Sequence, residues 1–232
     1  MSGRDRSVFL FDVDNTLLDN DRVSAALRRF LTEEVGAERT ERYWGFFEEL
    51  RSELGYADYL GALQAYRKQF PYDSHVLSLS NFLIDYPFAN RLFPGSLDVI
   101  EKFQQHGTVV ILTDGDAVFQ PRKIERSGLG ESVDQNILIY VHKERELADI
   151  ERRYPAEHYF LFDDKIRILA AIKEQWQDRV TTVFVKQGHY ALDAEAIAKY
   201  PKADVEVECI SDLLGYTLDI ETFGLARKAK TA

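Results

Sequence analysis

The chain has 232 residues, room for one sizeable core or a core with a smaller insert, and its 45% apolar and 29% charged content is that of an ordinary globular protein. Its 39 acidic against 29 basic residues leave a net charge of −10, which excludes nucleic acid as a main partner, because a phosphate backbone needs clustered Lys and Arg. The single cysteine, Cys209, excludes an intramolecular disulfide, and neither a signal pattern at the polar start Met1 to Arg6 nor a long apolar run is present, so the expectation is a cytoplasmic protein with no membrane partner.

In chain order, Val8-Phe9-Leu10-Phe11 predicts a strand buried on both faces, stopped by Asp12 and Asp14. Asp19-Asn20-Asp21 offers N-caps, and Val23, Leu27, Phe30 and Leu31 share one helical face up to Gly36. From Glu38 to about Phe88 the signals are helical: Trp44, Phe47 and Leu50, then Tyr59, Leu63 and Tyr66, a break at Phe70-Pro71-Tyr72-Asp73, and a further helix from His75 to Ile84. Pro94-Gly95 marks a turn, Ser96 can cap, and Leu97, Ile100 and Phe103 line a helix ending at Gly107.

Strands and helices then alternate. Thr108 to Leu112 is a strand followed by Thr113-Asp114-Gly115-Asp116, and a helix runs from Ala117 to Arg126. Ile137 to Val141 is a strand ending at His142-Lys143, with a helix from Glu144 to Arg153. Tyr159 to Phe162 is a strand ending at Asp163-Asp164, with Ile168, Ile172 and Trp176 on the next helix. Val180 to Val185 and Val205 to Val207 are strands, Ser211 to Leu214 starts a short helix, and the tail Arg227 to Lys230 reads as a surface end. This alternation predicts an α/β fold with a parallel sheet between helical layers, and the all-helical block reads as an insertion beside the first aspartates.

Four strand ends thus carry Asp12/Asp14, Thr113-Asp114-Gly115, Lys143 and Asp163/Asp164. One strand-end aspartate usually caps or turns; a convergent set is different, because ligands bind at that edge and clustered carboxylates need a cation. Oxygen-only ligation suits Mg²⁺. The five histidines show no metal-ligand spacing, although His142 stands next to Lys143, and Cys209 reads as a small core residue.

Asp12-Val13-Asp14-Asn15-Thr16-Leu17 resembles the signature of the haloacid dehalogenase-like superfamily, and Thr113, Lys143 and Asp163-Asp164 follow in that family's order. The resemblance implies a three-layer, Rossmann-like parallel-sheet core (residues 1–20 and 91–232) with an inserted all-α cap domain (residues 21–90). It implies that Asp12 attacks phosphorus as a nucleophile and that Asp14 carries protons as acid and base, with negative neighbours to aid its protonation. Thr113, the backbone N–H groups of Asp114 and Gly115, and Lys143 would bind the phosphoryl group. Asp12, the carbonyl of Asp14 and Asp164 would hold Mg²⁺, with Asp163 behind Asp164 or paired to Lys143; Asp114 itself would point away and Asp116 cap the next helix. The relatives that cleave carbon–halogen bonds lack the aspartate two residues after the nucleophile. The expected activity is therefore hydrolysis of a phosphate monoester, the partner being a small phosphorylated metabolite; a phosphoryl-transfer mutase, a dehalogenase-like hydrolase or a catalytically silent binding module are the alternatives. Cap aromatics such as Tyr43, Trp44, Phe47, Tyr56 and Tyr59 would mostly form cap core, one or two facing the substrate.

Overall fold

A computed structural model of the chain describes residues 5–219 and 221–227. The tail from Lys228 onward lies outside the described residues. Strands β1 (Asp5–Phe11), β2 (Thr108–Asp114), β3 (Ile137–Tyr140), β4 (Ala156–Asp163), β5 (Val180–Val185) and β6 (Val205–Val207) form one parallel sheet in the order β3-β2-β1-β4-β5-β6. The order reverses at β1, whose C-terminal end is therefore the switch point where a ligand cleft opens.

Both faces of the sheet are covered, which is why β1 reads as an unbroken apolar run rather than an alternation. Phe9 and Phe11 face one layer and stack on their register partners Phe160 and Phe162, at 5.0 and 4.0 Å between ring centroids. Val8 and Leu10 face the other, with Leu161, Leu169 and Trp176.

The helices are α1 (Asn20–Leu54), α2 (Tyr59–Gln69), α3 (Val76–Asp85), α4 (Ser96–Gln104), α5 (Phe119–Ser127), α6 (Leu129–Ser132), α7 (Leu147–Arg153), α8 (Ile166–Trp176) and α9 (Ala194–Ile197). Among the described residues, none is long and apolar enough to cross a membrane. Helices α1 to α3 lie between β1 and β2 and make the helical insertion. Asp19 caps α1 by accepting from the Arg22 N–H, and Gly36 at φ 82° breaks its helical path. Insertion and sheet layer share one apolar cluster, with Tyr59 on Phe119 at 4.9 Å.

Some local expectations change. Ser96 does not cap α4: Gly95 is the N-cap, and the buried Ser96 hydroxyl donates to the Leu17 carbonyl, pinning the loop after β1. The segment after Lys143 is a short 3₁₀ turn, Lys143–Arg145, before α7, because the side chain and N–H of Lys143 are drawn inward. Cys209 is half-buried at a 3₁₀ start rather than in the core. A hairpin of β7 (Tyr216–Asp219) and β8 (Gly224–Arg227) had no clear pattern to announce it, being mostly half-exposed.

Candidate active site

The site is built on four neighbouring strand ends. β1 delivers Asp12, which is 3% exposed, and the chain turns at once, with Asn15 at φ 59°. The Asn15 side chain accepts from the Asp21 N–H and donates to its carboxylate, locking this turn onto the start of α1. The loop after β5 crosses the same turn at Gly188, where φ is +71° and an added Cβ would stand 2.4 Å from the Asn15 side chain, so only glycine fits.

Lys143 arrives from the end of β3 and is 1% exposed. Its ammonium lies 2.6 Å from Asp12 Oδ1 and 2.6 Å from Asp163 Oδ2, and also donates to the Leu112 carbonyl at 3.2 Å. Its own N–H donates to Asp114 Oδ1 at 2.7 Å, so the Asp114 carboxylate positions the turn that carries Lys143. Burial penalises the free amine's protonation, but Asp12, Asp163 and Asp114 outweigh it and raise the Lys143 ammonium well above its ordinary range.

Oxygens of Asp12, Asp163 and Asp164 lie within 4.8 Å of one another, all buried. Asp12 Oδ2 and both oxygens of Asp164 accept no hydrogen bond among the described residues. Burial pushes the Asp163 and Asp164 carboxyls up, against the pull of Lys143 on Asp163 and of Lys165 on Asp164. A buried carboxylate without a partner is costly, and oxygen donors in this spacing match a hard divalent cation. The residues therefore fit Mg²⁺: the Asp12 and Asp164 side chains offer free oxygens, and the Asp14 carbonyl accepts no backbone hydrogen bond among the described residues.

Asp14 differs from expectation. Its neighbours are not chiefly acidic: Oδ1 accepts from the ammonium of Lys123 at 2.6 Å, and that ammonium also donates to Asn20 Oδ1 at 3.0 Å. Lys123 has no exposure. In the sequence, Lys123 stands in the basic run Arg122-Lys123 with Arg126 nearby, and charge alone does not tell it from its neighbours. The available signal was its place beside Phe119 and Ile124 on the buried face of α5.

The loop after β2 also needs correction. The Gly115 N–H donates to the Tyr140 carbonyl at 3.0 Å, continuing the ladder to β3, so in this conformation it is not free to bind a phosphoryl oxygen. The Thr113 hydroxyl is buried and accepts from Gln120 Nε2 at 3.0 Å. Asp116 accepts from the Val118 and Phe119 N–H groups at the start of α5. His142 is drawn under the cap rather than into the cluster: an added Cβ at Gly55 would meet its ring at 2.6 Å.

A cavity of about 760 Å³ opens between the insertion and this sheet edge. Asp14, Asp114 and Lys165 form part of its lining, with Trp44, Phe47, Tyr56 and Tyr59 from the insertion.

A family model described as haloacid dehalogenase-like hydrolase matches residues 7–148, more than half of the chain. The chain belongs to the haloacid dehalogenase-like hydrolases. Among solved structures of such hydrolases, it is similar to one from Burkholderia xenovorans at 57% identity, with 90% of this chain and 97% of that one covered and a TM-score of 0.87. Two further likenesses concern the fold alone. The hydrolase YfnB of Bacillus subtilis, solved with magnesium bound, is 20% identical over 91% of this chain and 97% of that one, with a TM-score of 0.58. The L-2-haloacid dehalogenase of Xanthobacter autotrophicus is 18% identical over 90% and 96%, also with a TM-score of 0.58. A search of curated proteins found no match. The haloacid dehalogenase-like fold accounts for the convergence of Asp12, Lys143, Asp163 and Asp164 at one sheet edge with helices inserted above it.

Proposed function

We propose that this hydrolase cleaves a phosphate monoester of a small metabolite, with Mg²⁺ bound and with the phosphoryl group passing through Asp12. The observation that carries the reading is the buried cluster of Asp12, Asp163 and Asp164, in which, among the described residues, Lys143 is the one cation in ion-pair contact and three carboxylate oxygens have no hydrogen-bond or ion-pair partner. A dianionic phosphoryl group entering such a cluster needs more positive charge than Lys143 supplies.

Asp12, Asp164 and the Asp14 carbonyl would hold Mg²⁺, which when bound neutralises these carboxylates and polarises a phosphoryl oxygen. Asp12 attacks phosphorus with a carboxylate oxygen, and the bond from phosphorus to the leaving oxygen breaks. Asp14 protonates that oxygen and then takes a proton from the water that attacks phosphorus and frees Asp12. Lys143 holds Asp12 from one side and offsets its charge as phosphate forms. The near-complete burial of Asp12 keeps bulk water from the nucleophile.

One observation favours a second reading, displacement of halide from a haloacid. Asp14 is held by Lys123, and release of halide needs no proton donor.

Phosphate release from 4-nitrophenyl phosphate, measured with Mg²⁺ and with a chelator, tests the proposal. Mg²⁺-dependent release, lost in Asp12→Asn, is expected. No release at saturating ester, with chloride freed from 2-chloropropionate instead, sinks it in favour of the second reading.

A further inference from the structure

The cavity above Asp14 is far larger than a phosphate or a three-carbon acid requires. Its volume of about 760 Å³ lies in the usual range for sites that enclose drug-sized ligands, about 300–1,000 Å³. The makeup of its walls narrows what can fill it.

On the cap side, Phe47 and Tyr59 tilt against each other at 4.7 Å, and Trp44 meets Phe47 edge-on at 5.1 Å. These buried rings form a stiff backing. Tyr56 stands in front of them, half-buried, and its ring makes no ring or cation contact among the described residues. On the sheet side stand Tyr190 and Tyr200, 36% and 37% exposed. Tyr190 is already held: its hydroxyl accepts from Arg51 at 3.0 Å, and the Lys165 ammonium lies 5.0 Å from its ring centroid. Aromatic surface fixed in this way before a ligand arrives loses little freedom on binding.

The charged groups of the walls are mostly already paired. Arg51 pairs with Glu48 at 2.7 Å, Arg167 with Glu144 at 2.9 Å, and His189 with Asp21 at 2.6 Å. Lys165, next in the chain to Asp164, forms no ion pair among the described residues. At the catalytic end the cavity therefore presents Lys165, whose charge acts on Asp164, Asp12 and Asp163; elsewhere its described walls present aromatic surface and cations already held in ion pairs.

Resting on the phosphatase reading above, we propose that the substrate is a phosphate monoester whose alcohol carries an uncharged aromatic ring, seated between Tyr56 of the insertion and Tyr190 and Tyr200 of the sheet edge. Aromatic rings stack on such residues at centroid distances of roughly 4.5–7 Å and gain from their π-quadrupoles beyond the area buried, a gain that a saturated ring of equal size lacks.

The test compares kcat/KM, by phosphate release from the full chain with Mg²⁺, for benzyl, cyclohexylmethyl and ethyl phosphate. All three leave as primary alcohols, so the bond broken is chemically matched. Benzyl phosphate should exceed ethyl phosphate by about thirty-fold from ring burial and cyclohexylmethyl phosphate by about five-fold from stacking. Tyr56→Leu should bring the benzyl to cyclohexylmethyl ratio close to one; because this is a ratio within one variant, partial unfolding does not move it. A wild-type ratio of one overturns the proposal. If no ester is hydrolysed, the phosphatase reading fails, and the ring assignment is decided by calorimetry with benzylphosphonate and ethylphosphonate in Mg²⁺. Tighter binding of benzylphosphonate then supports the aromatic seat; equal or absent binding overturns it.

Discussion

The ammonium of Lys123, without any exposure, donates to Asp14 Oδ1 at 2.6 Å and so fixes the carboxylate proposed to carry protons. The same ammonium holds Asn20, the first residue of the inserted helices. One lysine on α5 thus ties the acid/base position to the root of the cap. Replacing Lys123 by Met should lower kcat by about 10–100-fold with little change in KM, because a displaced proton carrier hurts the reaction more than binding. It should also destabilise the fold by about 1–3 kcal/mol, since Asp14 and Asn20 lose a buried partner. Steady-state kinetics on the folded fraction, with urea melts alongside, check both. An unchanged kcat would show that Lys123 is a structural link only.

Mg²⁺ should stabilise the protein. At a free concentration about 100 times Kd the gain is about 2.7 kcal/mol, read as a rise in Tm. Asp164→Asn should abolish the rise. Asp14→Asn should keep most of it, because the ligand expected there is the main-chain carbonyl, while losing turnover. A melting temperature indifferent to Mg²⁺ in the parent would remove the metal from the scheme.

Lys143 sits between Asp12 and Asp163 with both oxygens at 2.6 Å. Lys143→Met leaves two buried carboxylates facing each other and should cost about 3–5 kcal/mol. Adding Asp163→Asn should recover part of that loss, so the double variant is more stable than the sum of the singles predicts. Chemical denaturation of the four proteins closes the cycle; strict additivity would mean that the pair is not coupled.

His158 adds an acid-sensitive element far from the site. It is buried between Thr181, 2.8 Å from its Nε2, and the Phe223 ring, on which it stacks at 4.5 Å. Burial, aided by Lys173, lowers its pKa to about 4. The unfolded chain, with a value of about 6.5, takes up the proton first. The folded state is therefore favoured fully above about pH 6.5 and progressively less down to about pH 4, by up to about 3 kcal/mol. His158→Phe should flatten the stability profile between these limits. An equally steep fall in the variant would place the acid sensitivity elsewhere.

Within the insertion, Asp73 gathers Arg39 at 2.8 Å, the Tyr66 hydroxyl, and both the ring and N–H of His75. Burial would raise its carboxyl, but these bonds prevail and hold it at about 2. The sign is the same as for His158, but here bonding favours the charged form where there burial disfavours it: the contribution is complete above about pH 4, the unfolded value, and is lost as pH falls through 2. Asp73→Ala should cost about 2 kcal/mol at neutral pH, through loss of bonds to a charged group. Hydrogen exchange should show α2 and α3 opening more readily, with β1 and β4 unchanged. Unchanged exchange in the insertion would mean that aromatic packing, not Asp73, holds it.

Much of the fold was readable because its signals are local. A sheet covered on both faces turns each strand into a continuous apolar run, so Val8–Phe11, Val180–Val185 and their neighbours stood out, with polar residues marking where each run leaves the core. Gly36 marked a break in the helical path because positive φ is cheap for glycine. Contacts between distant segments left no such mark. Nothing in the run Arg122-Lys123 and Arg126 tells the buried lysine from its neighbours by charge, and the acceptor of the Gly115 N–H, Tyr140, belongs to another strand.

Residue order alone determined the α/β alternation, the helical insertion after β1, and the acids and lysine that meet at one edge, because each depends on hydrophobic period and on where a strand stops. Tertiary structure decided the pairings: Lys143 between Asp12 and Asp163, Lys123 on Asp14, Asp164 without a hydrogen bond among the described residues, and Tyr56 facing a cavity rather than the cap core. Charge and hydrogen bonding act over a few ångströms in space, whatever the separation along the chain, and so become visible only once the strands are side by side.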